Sequence, residues 1–130
     1  MDFKYEQIKE AHSKVKSGAD FPNYLKELNQ LGVLSYETFV NNGSTIYIGK
    51  NGYTVNSPEK YSELIVSDQP NIEQFMKDLR NHQQGNTDYL TFCSDCAKSG
   101  VEKWAVNIEN RTCIYFDKNN HSMLIESLPL

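Results

Sequence analysis

The side chains best able to do chemistry crowd into one stretch, residues 82–104, HQQGNTDYLTFCSDCAKSGVEKW. Cys93 and Cys96 stand in C-x-x-C spacing. Redox use of that motif needs a helix N-terminus, whose dipole stabilises the attacking thiolate. Here a helix capped by Thr87 carries Cys93 beyond its first turn, on an apolar stripe with Tyr89 and Ala97, so the pair reads as small buried hydrophobes. As half of a zinc site it lacks a second C-x-x-C or a paired histidine motif, and no metal site is expected. His82 closes a helix, where the terminal carbonyls favour a protonated imidazole. It reads either as a general base or ligand contact, or as a half-buried histidine bonded to a carbonyl. The loop Gln84–Tyr89 feeds a helix N-terminus, whose free N–H groups attract anions. Asp88 brings negative charge to that same end, and capping by Thr87 and Asp88 explains the residues without a ligand. The catalytic candidates are therefore His82, Asp88 and Cys93. The ligand-binding candidates are His82, Thr87, Asp88, Tyr89 and Trp104. No serine sits in a nucleophile elbow and no glycine loop fits a phosphate.

The elements that position these residues follow from periodicity. Asp2 is placed to cap a helix with Tyr5, Ile8, His12 and Val15 on one face, stopped by Ser17-Gly18. Asp20 and Pro22 open a second helix, with a stripe of Phe21, Tyr24, Leu25, Leu28 and Leu31, ended by Gly32. The period then falls to two. Tyr36–Val40 and Thr45–Gly49 read as strands around an Asn42-Gly43 hairpin, and Tyr53–Val55 as a third strand. Tyr61–Val66 is ambiguous between a strand and a helical turn. From Pro70 or Asn71 the pattern restarts. One helix carries Ile72, Phe75, Met76, Leu79 and His82, and a second carries Tyr89, Cys93, Cys96 and Ala97. Strands follow around Trp104–Ile108, Thr112–Asp117 and Met123–Glu126.

Sliding Gly32–Val55 onto Gly100–Met123 without gaps scores this restart. Seven of the 24 positions are identical: Gly32/Gly100, Val33/Val101, Asn42/Asn110, Ile46/Ile114, Tyr47/Tyr115, Lys50/Lys118 and Asn51/Asn119. Ordinary residue frequencies give roughly one or two. The expected architecture is α+β: two helix–helix–three-strand-meander units, about 2–56 and 70–127, joined by a linker at 57–69. They pack as one pseudo-twofold domain spanning residues 1–130. A meander covered only partly by its helices leaves an apolar face to share, so any cleft lies where the units meet. Tyr36, Tyr47, Trp104 and Tyr115 fall on the strands and read as core or inter-unit aromatic contacts.

Composition narrows the function. A chain of 130 residues with 38% apolar and 23% charged residues buries an ordinary core without staples. The net charge of −4, with neither half basic, removes the electrostatic footprint of a nucleic-acid binder. No apolar run approaches a membrane span, and the start MDFKYEQIKE has no secretory core, so no membrane partner is expected. Three cysteines without framework spacing point to reduced thiols in the cytoplasm.

The strings HQQGNTDYLTFCSDCAKSGVEKWAVN, GADFPNYLKELNQLGVLSYETFV and NRTCIYFDKNNHSMLIESLP together cover nearly the whole chain. They resemble the bacterial YbcV-like group, domain of unknown function 1398, whose members are often labelled phage envelope protein. The resemblance implies membership and no activity. The leading functional expectation is a non-enzymatic, cytoplasmic binding or interaction module without a cofactor. It would act through the inter-unit cleft on a small molecule or a protein partner, or by self-association as a homodimer. The alternative is a small enzyme or small-molecule binder with a polar site at the His82/Asp88/Tyr89 loop–helix junction. It requires His82 and Asp88 to converge on one point in an open pocket.

Overall fold

The computed structural model describes residues 3–16 and 18–128. The class is α+β. Two helices, α1 (Tyr5–Ser13) and α2 (Phe21–Leu31), precede three strands, β1 (Ser35–Phe39), β2 (Thr45–Ile48) and β3 (Thr54–Ser57). The order then repeats: α3 (Ile72–Gln83), α4 (Tyr89–Lys98), β4 (Lys103–Asn107), β5 (Thr112–Phe116) and β6 (Ser122–Ser127). All six strands form one antiparallel sheet in the order β3-β2-β1-β4-β5-β6.

The two meanders meet at β1 and β4. Glu37 lies opposite Ala105 there, and these residues are themselves one 68-residue offset apart. The β1–β2 register, Ser35 opposite Ile48, recurs as Lys103 opposite Phe116. The third strands differ: β6 carries a register shift beside Tyr115/Phe116 that β3 lacks. Alternation sorts the strand side chains. Tyr36, Thr38, Thr45, Tyr47, Trp104, Val106, Cys113 and Tyr115 face the helices and are buried. Their neighbours, among them Ile46, Ile114 and Phe116, lie half-buried on the outer face. The apolar stripes of the helices complete one core, with Ile8, Leu25, Leu28, Phe75, Cys93 and Cys96 almost wholly buried.

Local departures from the sequence reading have local causes. The Asp2 cap and Ser17 lie outside the described residues. The first helix already ends at Ser13, with Lys14 as its C-cap. Asp20 stands at the start of α2 but makes no side-chain cap; its carboxylate accepts from the Lys16 amide instead. The Asn42-Gly43 turn is wider than a two-residue hairpin. β1 ends at Phe39 and β2 starts at Thr45, while Asn42 Oδ1 accepts from the Ser44 amide and draws the intervening chain into an Asx turn.

Tyr61–Val66 is neither strand nor helix. The stretch after β3 is held by backbone donation from Lys60 to Asn42 and from Leu64 to Asn41, and then from Ser67 to Ala97 and Asn71 to Ser99. Gly43 shows why this strap sits close: a Cβ there would fall 2.7 Å from the Tyr61 ring. Gly100 ends α4 at φ +85°, and a Cβ would meet the Pro70 backbone at 2.9 Å. Only glycine satisfies both demands.

Candidate functional site

Between the α1/α2 and α3/α4 pairs, above the helix-facing side of the sheet, the structure holds a cavity of about 520 Å³. Its floor consists of two transverse rows set by the strand register. One runs Tyr47, Tyr36, Cys113, Glu126, with Val106 completing the register beneath but not lining the cavity, and the other Thr45, Thr38, Trp104, Tyr115. The walls come from both helix pairs, and matched positions contribute. Phe21 and Tyr89 open the second helix of each pair, Tyr24 and Phe92 follow one turn on, and His12 and Val15 face the cavity as Leu79 and His82 do.

The matched positions differ in chemistry, so the cavity is lopsided. On one half of the floor Thr38 and Thr45 share a hydroxyl hydrogen bond of 2.9 Å, and Tyr24 and Tyr47 share another of 3.1 Å. The corresponding strand positions on the other half are Val106 and Cys113. The aromatic rings form a connected wall: Tyr24–Tyr36–Tyr47 on one side, Tyr89–Trp104–Phe92 and Trp104–Tyr115 on the other. The His12 ring bridges the two, edge-on to both Tyr24 and Tyr89 at 5.3 and 5.2 Å.

The two imidazoles are neutral near pH 7. Burial, reinforced by the charge of Lys60, lowers the His12 pKa to about 4. Burial also lowers that of His82, against the Thr87 carbonyl and the Asp88 charge, which favour its protonated form. His82 lies flat on Phe92, with ring centroids 4.3 Å apart. Its Nδ1 sits 3.1 Å from both the Thr87 carbonyl and the Thr87 hydroxyl. A carbonyl only accepts, so Nδ1 carries the proton and Nε2 keeps the lone pair. The ionised groups that line the cavity are Lys60 and Glu126. Glu126 accepts from Tyr115 Oη and Gln83 Nε2.

The residues singled out in the sequence divide. His82, Tyr89 and Trp104 line the cavity. Thr87 orients His82 and does not cap α4. Asp88 takes the cap, its Oδ1 accepting from the Thr91 amide at 2.8 Å, which holds its carboxyl below the usual range. It is exposed and outside the cavity lining, so His82 and Asp88 do not share a point within it. Cys93 is fully buried and its thiol is pushed up by desolvation, with the Tyr61 and Tyr89 hydroxyls working the other way. Cys96 is pushed up further, again chiefly by burial. Both therefore stay protonated at neutral pH, which is the opposite of what a redox nucleophile requires. Among the described residues no group of three His, Cys, Asp or Glu is placed to hold a metal ion.

Several lining residues escaped the sequence reading. Tyr24 reads as part of an apolar stripe, Phe92 lies on the shoulder of the α4 stripe, and Thr38 and Thr45 read only as strand positions. Lys60 stands in a stretch without periodicity, and nothing in its neighbourhood marks it. The only available signal was the repeat itself: matched positions that carry dissimilar residues, as at His12/Leu79 and Val15/His82, fall on the cavity.

The architecture defines a class: an α+β protein in which two helix–helix–meander halves share a sheet and flank an open, aromatic-rich cavity. The chain belongs to the family described as Protein of unknown function (DUF1398), which matches residues 9–127. Among curated proteins compared with it, none matches the chain. No helix among the described residues is long and apolar enough to cross a membrane.

Proposed function

We propose that this protein is a non-enzymatic binder of a small molecule, held in the cavity between its two halves. The observation that carries the reading is the cavity itself: its volume lies in the range of small-molecule sites, its walls are mainly aromatic, and a few polar groups converge on it. The two halves are related here by a pseudo-twofold axis through Glu37 and Ala105, and the cavity lies over that axis. Binding without catalysis fits the chemistry of the lining. The nearest acid–base pair, His82 and Asp88, is split, because Asp88 is committed to the cap of α4. The reduced, buried Cys93, Cys96 and Cys113 suit a cytoplasmic setting. The phage envelope label that accompanies the family resemblance plays no part in this reading.

A thermal-shift screen of small aromatic compounds tests this. A ligand that prefers the native state, present at a hundredfold its Kd, stabilises by about 2.7 kcal/mol and raises Tm by about 10 °C. Val15→Trp, at a half-buried lining position, should place an indole in the cavity and abolish the shift while leaving the unliganded Tm within a few degrees. A shift that survives Val15→Trp would place binding elsewhere and end the reading.

A further inference from the structure

We infer that the cavity's ligand is a monoanionic aromatic acid whose carboxylate pairs with Lys60; the inference rests on the cavity reading above.

Lys60 is held by its own backbone, which donates to the Asn42 carbonyl at 2.8 Å, at the β1–β2 end of the sheet. From there its ammonium reaches over the Tyr89 ring, 5.5 Å from the centroid. None of the ion pairs among the described residues includes it. The groups that face it, His12, Cys93, Tyr61 and Tyr89, are all neutral near pH 7. Glu126 belongs to β6, three strand spacings or about 14 Å from β1, and Tyr115 and Gln83 already occupy it. Lys60 is exposed at the edge of the cavity and has no counter-ion among the described residues, so an anion entering the cavity there would find an unpaired cation.

The rest of the lining sets the charge and shape of the partner. No arginine lines the cavity, and Asp88 takes the Thr91 amide and brings its own negative charge to the nearby N-terminus of α4, which disfavours a phosphate dianion there. One lysine matches one carboxylate. The rings of Trp104, Tyr36, Tyr47 and Tyr115 form a surface on which a flat apolar body can stack.

Calorimetric titration with naphthylacetate and its uncharged isostere naphthylacetamide tests the inference. The wild-type protein should bind the acid at least tenfold more tightly than the amide. Lys60→Met should bring the two to parity by weakening the acid alone, and Lys60→Arg should keep the preference for the acid. Equal binding of acid and amide by the wild type, or a preference that persists in Lys60→Met, would overturn the role of Lys60 and leave the cavity reading standing. Binding of neither compound, with no Tm shift from any aromatic compound in the wider screen, would overturn both.

Discussion

His12 lies where the two halves touch, and it is the residue whose ionisation the fold suppresses most clearly among the histidines. Its pKa is about 4 in the native state against about 6.5 in an unfolded chain. The unfolded state therefore binds more protons between those values. The native state keeps the full benefit of a neutral imidazole above pH 6.5 and loses it as the pH falls toward 4, by at most about 3 kcal/mol. Urea unfolding measured across that window should show stability falling with acidity, and His12→Phe should flatten the slope by about one proton. An unchanged slope in the variant would mean that His12 is not buried as described. His82 contributes in the same direction, with the Thr87 carbonyl and Asp88 offsetting part of the effect. Cys93 illustrates the limit of motif reading at this scale: C-x-x-C spacing reveals chemistry only where the helix terminus and solvent allow a thiolate. Its place within α4 marks it as a packing residue from the sequence onward.

At the scale of elements, the N-terminus of α4 shows what a cap does and what it prevents. Asp88→Ala should cost about 1 kcal/mol, with a Tm lowered by a few degrees, while Asp88→Asn should cost much less. Ligand affinity should hardly change in either variant, because the carboxylate stands outside the cavity. A large loss of affinity in Asp88→Asn at unchanged Tm would restore Asp88 to the site. The sequence placed every helix and strand of both halves approximately, because stripes of period 3.6 and alternation of period two are strong over these lengths. It missed the cap, since Thr87 and Asp88 are both good capping residues and only the position of His82 decides between them. It also left the strap after β3 undefined. That stretch is fixed by backbone donation to Asn41, Asn42, Ala97 and Ser99, all distant in sequence, and such contacts leave no periodic trace. Lys60 belongs to this strap, and for the same reason the principal charge in the cavity went unseen.

For the whole molecule, the informative feature is a helix–helix–three-strand order that recurs with the helix-ending glycine and the aromatic pairs Tyr36/Trp104 and Tyr47/Tyr115 kept but with different residues at the seam. Gly32 and Gly100 end matching helices, Tyr47 and Tyr115 occupy matching strand positions, and the β1–β2 register is reproduced by β4–β5. Where the halves face each other, the match breaks into Thr38 and Thr45 against Val106 and Cys113. A shared core would be served by any apolar residues at these places. The hydroxyl pairs of the floor and wall, Thr38–Thr45 and Tyr24–Tyr47, fall in the first half, while His82 and Glu126 come from the second. Filling the cavity from the wall with Val15→Trp and removing its cation with Lys60→Met are thus separate perturbations of one site.

Trp104 is the only tryptophan in the chain and it lines the cavity, so the single indole N–H resonance in an amide correlation spectrum reports on the cavity directly. Titration with naphthylacetate should move that resonance saturably, with the same midpoint as the calorimetric isotherm, and Val15→Trp should abolish the movement of the Trp104 signal. A ligand that binds by calorimetry while the Trp104 indole signal stays where it was would contradict the account.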